Sequence, residues 1–275
     1  MVRCPFFLVS PSPWPFMVST CLTSMAIGLV NWMYRVYDGM YLICGSVVLL
    51  LCLLFFWWRD VLREGDQGYH SSLVMQSFRD GVFLFIVSEV MFFFSFFWAF
   101  FHSSLSPNVE VGGSWPPVGI RTPNVLSVPL LNTWLLLSSG AALNYSHLCL
   151  VMRDYDYNSI FGMFLSIIMG GLFVFLQYIE YYFNSFTIAD GIYGSTFYML
   201  TGFHGFHVIV GLSFMLVTFL RLWYGHFLSD RHFGFEACSW YWHFVDVVWI
   251  FLYIFVYVWG SGFLHDAYIF SDALF

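Results

Sequence analysis

A chain of 275 residues that is 60% AVILMFWYC, 23% aromatic and only 9% charged carries more apolar surface than a soluble domain of this length can hide, which points to an integral membrane protein. Its formal net charge is −7 and its nine basic residues are all arginines scattered singly, so no basic stripe exists to hold a nucleic acid. The six cysteines (Cys4, Cys21, Cys44, Cys52, Cys149 and Cys238) form no CxxC pair and lie mostly in or beside apolar runs, which argues against a disulfide framework and against a zinc site.

A cleavable targeting segment is not expected, because the apolar residues Phe6 to Val9 are soon interrupted by Pro11, Pro13 and Pro15. Seven apolar runs of spanning length follow, at about 16–36, 39–58, 81–101, 125–150, 159–182, 194–220 and 237–259. Runs of about 20 residues predict helices, since a membrane β-barrel shows roughly ten-residue alternating segments. The first run is diluted by Ser, Thr and Asn31 but bracketed by Trp14, Trp32 and Tyr34. The second has no charge in its 20 residues and ends on Trp57 and Trp58, an interfacial aromatic anchor. Between the third and fourth lies a Pro- and Gly-rich connector, SSLSPNVEVGGSWPPVGIRTPN (103–124). Threading seven spans puts Arg3, Arg59, Arg63, Arg79, Arg153, Arg221 and Arg231 on the N-terminal side and Arg35 and Arg121 on the other. That asymmetry predicts the N-terminus on the cytoplasmic or matrix side.

Small residues mark where helix backbones approach in lipid. They occur at 138–142, at Gly170 and Gly171, and at Gly202, Gly205 and Gly211, in spans four, five and six. The Phe-rich faces of spans two and three are expected to look toward lipid or a lipid-filled groove.

Glu89 sits in the middle of FLFIVSEVMFFFSFFWAFF, about 12 Å into its span at 1.5 Å per residue. An ionised carboxylate there is expensive, so the protonated form is expected unless a cation or lipid headgroup lies close. The acid serves either as a proton relay, lipid ligand or contact switch, or as a neutral group hydrogen-bonded to a neighbouring helix. Span six carries His204 and His207, and span seven carries Glu236, Ser239, His243 and Asp246 along one helical stripe, so both are expected to face protein as an interhelical polar cluster. The same residues offer metal ligands, but no repeated HxxxH or HxxHH box accompanies them. Interhelical hydrogen bonding is therefore preferred and no metal site is expected. Arg59, Arg63 and Arg221 fall at one interface, suited either to lipid phosphate or to simple snorkelling.

FRDGVFLFIVSEVMFFFSFFWAFFHSSLSP (78–107), GGSWPPVGI (112–120), PLLNTWLLLSSG (129–140), FTIADGIYGSTFYMLTGFHGFHVIVG (186–211) and HFGFEACSWYWHFVDVVWIFLYIFVYVWGS (232–261) closely resemble cytochrome c oxidase subunit III. PSPWPF (11–16) and WWRDVLRE (57–64) extend the resemblance over nearly the whole chain from Pro11 to Ser261. It implies an all-α integral membrane fold of seven transmembrane helices, a two-helix bundle (with the N-terminal segment, 1–72) plus a five-helix bundle (73–261), with phospholipids in a V-shaped cleft between them. A C-terminal extension (262–275) continues past the point where many members stop.

The resemblance further implies an accessory core subunit of the respiratory terminal oxidase, supporting oxygen reduction by cytochrome c and coupled proton pumping. Haem and copper belong to partner subunits in this family. Subunit I is the implied main contact, alongside subunit II, supernumerary subunits and bound phospholipids, in the mitochondrial inner membrane or, alternatively, a bacterial plasma membrane. Glu89 matches the family's intramembrane glutamate, and Trp58, Arg63, His70 and Arg221 match positions on or near the lipid cleft. CPFFLV departs from the family's HPFHLV-like segment, with Cys4 and Phe7 where histidines stand. Two other classes compete: a proton-coupled transporter using Glu89 and Asp246, which the lack of an inverted repeat disfavours, and a metalloenzyme built on His204, His207 and His243.

Overall fold

Seven helices account for nearly all regular structure in a computed structural model that describes residues 11–152 and 156–263, and among the described residues there is no strand. They are α1 (Trp14–Met33), α2 (Gly39–Asp66), α3 (Ser72–Leu105), α4 (Val128–Met152), α5 (Asp156–Phe183), α6 (Gly191–Trp223) and α7 (Phe233–Leu252), the last continuing as a π-helical segment over Tyr253–Trp259. All seven are long and apolar enough to cross a membrane. The chain is thus an all-α membrane protein with the seven spans its sequence predicts. Several helices outrun those spans: α3 has 34 residues, or about 51 Å at 1.5 Å per residue, against a hydrocarbon core of about 30 Å. Hydropathy marks only the apolar middle of such a helix, and its polar turns at each end pass unnoticed. Arg3, Cys4, Phe7, Arg153 and nearly all of the 262–275 extension lie outside the described residues.

The helices divide into two compact units between Asp80 and Gly81, so the first turns of α3 go with α1 and α2. In the first unit α1 and α2 pack antiparallel. Pro15 stands in the opening turn of α1, where a missing N–H costs nothing. The helix closes on Arg35 in the left-handed region (φ 58°), with Arg35 N donating to Trp32 O and Val36 N to Asn31 O. Gly39 then lies directly on the α1 backbone, where a Cβ would collide with the Trp32 nitrogen. At the far end Trp14 Nε1 donates to Asp60 Oδ2 (2.9 Å), which fixes the hairpin at both ends.

In the second unit the core forms around α7. Trp242 is fully buried and its ring lies against Gly170 of α5 and Gly211 of α6, whose added Cβ atoms would come within 2.8 and 2.9 Å of it. Its Nε1 donates to Ser139 Oγ of α4 (2.9 Å), and two turns later Trp249 Nε1 donates to Thr133 Oγ1 (3.0 Å). A Cβ at Gly162 would lie 2.9 Å from Ala142 O, so the α4–α5 hairpin also relies on a bare backbone. Lipid tails are as apolar as these side chains, so expulsion from water does not drive the packing; dispersion between closely fitted atoms and the interhelical hydrogen bonds do. Of the small residues expected at crossings, Gly140, Gly170 and Gly211 occupy them, whereas Gly171, Gly202 and Gly205 face open space. α3 packs through one aromatic stripe: Phe92 on Phe203 (5.0 Å between centroids), Phe93 on Phe244 (6.1 Å), Phe97 on Phe251 (6.4 Å) and Phe100 on Trp259 (6.1 Å). The opposite face, with Phe83, Phe94 and Trp98, is exposed. The connector after α3 folds back so that Trp115 meets Phe100 and Tyr193, with Gly112 at φ +89° making the turn that a side chain would strain.

Candidate functional site

Glu89 is the 18th of 34 residues in α3 and His207 the 17th of 33 in α6, so both occupy the middle of their helices. Their side chains meet: Glu89 Oε2 lies 2.9 Å from His207 Nε2, with the carboxylate 23% and the imidazole 9% exposed. His207 Nδ1 lies 2.6 Å from Phe203 O, and since a carbonyl only accepts, Nδ1 carries a hydrogen and donates. Nε2 of a neutral ring is then an acceptor facing a carboxyl oxygen. One proton must therefore lie between Nε2 and Oε2, either on the acid or on an imidazolium. The arrangement answers the condition on which a charged Glu89 was set aside, because a protonatable partner does stand beside it. Phe92, Phe93 and Phe244 surround the histidine and limit water access.

The other residues of the expected polar cluster take separate partners. His204 is 1% exposed and its Nε2 donates to Val245 O (3.2 Å), the ring lying between Phe173 and Trp249. His243 Nε2 donates to Asn144 Oδ1 of α4 (2.8 Å), and its Nδ1 is 3.7 Å from Asp246 Oδ2 one turn on. Asp246 is buried against Gly140, where an added Cβ would lie 2.5 Å from its Oδ2. Glu236 pairs with His232 (Oε1 to Nε2, 3.4 Å) at the opening of α7. The stripe on α7 thus faces protein as its spacing predicts, but it feeds several short interhelical links. His204, His207 and His243, the ligands of the metalloenzyme alternative, each serve a different partner. Among the described residues the group whose donor atoms come close enough to hold a metal is His147, His232 and Glu236, all mutually within 4.8 Å.

A polar chain near the other end of the bundle has no counterpart in the sequence reading. Asn132 Nδ2 donates to Gln177 Oε1 (3.3 Å), Gln177 Nε2 to Glu180 Oε1 (3.3 Å), and Tyr257 OH to the same Glu180 oxygen (2.6 Å). It joins α4, α5 and the π-helical segment. The wide turn there is closed by Gly260 N donating to Phe255 O five residues back. Glu180 lies two residues from the end of the 159–182 apolar run, a position that reads as ordinary interface. The sequence signal available was the 3-residue spacing of Gln177 and Glu180, two polar groups on one face of an apolar helix.

Of the interfacial residues, Trp58 is exposed and Arg63 lies at α2's end with Nη1 4.0 Å from Asp60 Oδ1. His70 folds against Gly65 and meets Phe78 edge-on; burial lowers its pKa from the usual histidine value, with Glu64 opposing. In the second unit the Arg221 guanidinium lies 4.3 Å over the Phe227 ring and beside Gly234.

Fold and site together define a polytopic helical membrane protein whose intramembrane polar groups are tied to one another between helices. The family model for cytochrome c oxidase subunit III matches residues 4–261, and the chain belongs to that family. It is similar to the cytochrome c oxidase subunit 3 of Canis lupus, 51% identical over 257 residues, covering 93% of this chain and 97% of the relative. The subunit 3 proteins of Chondrus crispus (49% over 261 residues, 94% and 96%) and Equus caballus (49% over 257 residues, 93% and 97%) are comparably similar.

Proposed function

We propose that the chain is an accessory core subunit of a haem–copper terminal oxidase, supporting oxygen reduction by cytochrome c and the coupled pumping of protons without a redox centre of its own. The observation that carries this reading is the family match along 4–261, joined to the fact that His204, His207 and His243 are each engaged by protein groups. On this reading haem and copper reside on partner subunits, with subunit I as the main contact and subunit II and supernumerary subunits completing the complex. The membrane is the mitochondrial inner membrane with the N-terminus on the matrix side, in keeping with the arginine distribution; a bacterial plasma membrane is the alternative. Trp58, Arg63, His70 and Arg221 contact phospholipid headgroups, and the Glu89–His207 pair locks α3 to α6 while holding a proton at mid-membrane.

Purification of the intact complex through a tag on this chain tests the proposal. Haem-bearing subunits should co-purify, and removing this chain should leave the haem spectrum unchanged while sustained oxygen consumption fails earlier. Retention of haem or copper by the separated chain, or its isolation without haem-bearing partners, overturns the reading.

A further inference from the structure

His147 lies one turn before the end of α4, His232 caps the N-terminus of α7 and Glu236 stands in the first turn of α7, one turn beyond His232. All three are partly buried, and their donor atoms lie within 4.8 Å of one another. We propose that they form a binding site for one redox-inert divalent cation of the zinc type, at the end of the bundle where α4 finishes and α7 begins.

Two features beyond proximity point to a cation. His232 Nδ1 donates to Leu228 O (3.1 Å), which orients the ring so that Nε2 faces Glu236 Oε1, 3.4 Å away. A nitrogen and a carboxylate oxygen so placed share a positive centre, which is either a proton, as at Glu89–His207, or a bound cation. A histidine with one nitrogen tied to a backbone carbonyl and the other presenting its lone pair is also the arrangement that metal-ligating imidazoles adopt. His147 supplies the second feature: its Nε2 is buried with no hydrogen-bond partner among the described residues, and an orphaned buried nitrogen calls for a ligand. The His147 ring is held by stacking on Phe235 and meets the His232 ring edge-on at 5.2 Å between centroids.

Two imidazole nitrogens and one carboxylate oxygen are a borderline donor set that suits zinc, with a fourth position left for water. Tetrahedral bonds of about 2.0–2.1 Å place ligand atoms about 3.3–3.4 Å apart. The His232–Glu236 pair already has that separation, so a closing movement of His147 by side-chain rotation completes the site. The positive end of α7 works against a cation, and the Glu236 carboxylate in its first turn offsets it. Zn2+ does not change oxidation state, so this site is compatible with the proposed lack of a redox centre on the chain; it replaces the expectation that the chain holds no metal at all.

The test uses the complex purified through this chain, stripped of loosely held metal and titrated with Zn2+ alone. Zinc per chain is counted by mass spectrometry, and the zinc X-ray absorption edge reads its neighbours. The wild type is expected to hold one more zinc than the His232→Ala and His147→Ala complexes, with imidazole scattering in the difference, and Glu236→Gln is expected to weaken that zinc at least tenfold. Should a histidine variant fail to assemble, Glu236→Gln decides, since it keeps the side-chain shape and removes the charge. Equal zinc content and affinity in the wild type and every assembled variant overturns the proposal.

Discussion

Removing either member of the Glu89–His207 pair alone should destabilise the chain more than removing both. The hydrogen bond is 2.9 Å long between side chains 23% and 9% exposed, so Glu89→Leu leaves the His207 Nε2 lone pair without a donor, and His207→Leu leaves a carboxyl at mid-membrane without an acceptor. A buried polar group left unsatisfied costs about 1–3 kcal/mol, whereas replacing both partners by apolar groups is close to neutral. In membranes the unfolded reference also finds partners, which draws coupling energies down to about 0.6–1.7 kcal/mol. A double-mutant cycle on detergent-induced unfolding of the chain in mixed micelles should therefore give a coupling of about 0.6–2 kcal/mol, a factor of roughly 3 to 30 in the unfolding equilibrium. Additivity within about 0.3–0.5 kcal/mol would refute the pairing. Glu89→Gln should lose less than Glu89→Leu, because the amide N–H can donate to Nε2 while Nδ1–H stays on Phe203 O. Infrared spectra then locate the proton. A carboxylic C=O band lost in Glu89→Gln puts it on the acid, the expected state, and a carboxylate signature at neutral pH puts it on His207 instead.

Gly170→Ala should lower the thermal midpoint, since its Cβ would stand 2.8 Å from the Trp242 ring and overpacking costs about 1–3 kcal/mol. Gly171→Ala, with nothing within 4 Å, should hold or raise it by the helix propensity gained, about 0.5–1 kcal/mol; equal losses at both sites would contradict the packing described. Tyr257→Phe removes the shortest donor to Glu180 and should destabilise by about 1–3 kcal/mol in the same measurement, while Tyr182→Phe, on an exposed ring, should change nothing. Arg221→Ala should reduce phospholipid retained by the purified complex more than Arg121→Ala, because guanidinium binds phosphate in bidentate fashion only where it meets the headgroups; equal lipid in both variants would sink the assignment.

The seven spans, their order and the protein-facing side of α7 were legible in the chain because they depend on local quantities. A run of about 20 apolar residues has one stable form in lipid, with every backbone group satisfied inside the helix, and a 3.6-residue period says which side chains share a face. Glu89 also announced itself, since a carboxyl at mid-span is conspicuous whatever surrounds it. Which group answers it was beyond local rules: His207 lies 118 positions away, and periodicity had grouped that histidine with His204, His243 and Asp246 as one cluster. The tertiary structure distributes those residues among Glu89 of α3, Val245 O of α7, and Asn144 and Gly140 of α4. The same holds for the Asn132–Gln177–Glu180–Tyr257 chain and for His147 beside His232 and Glu236, whose members come from helices far apart in sequence. A helix's own sequence fixes the direction in which a polar side chain points, but the free energy of placing it there depends on what the opposing helix offers, and only packing decides which residues oppose.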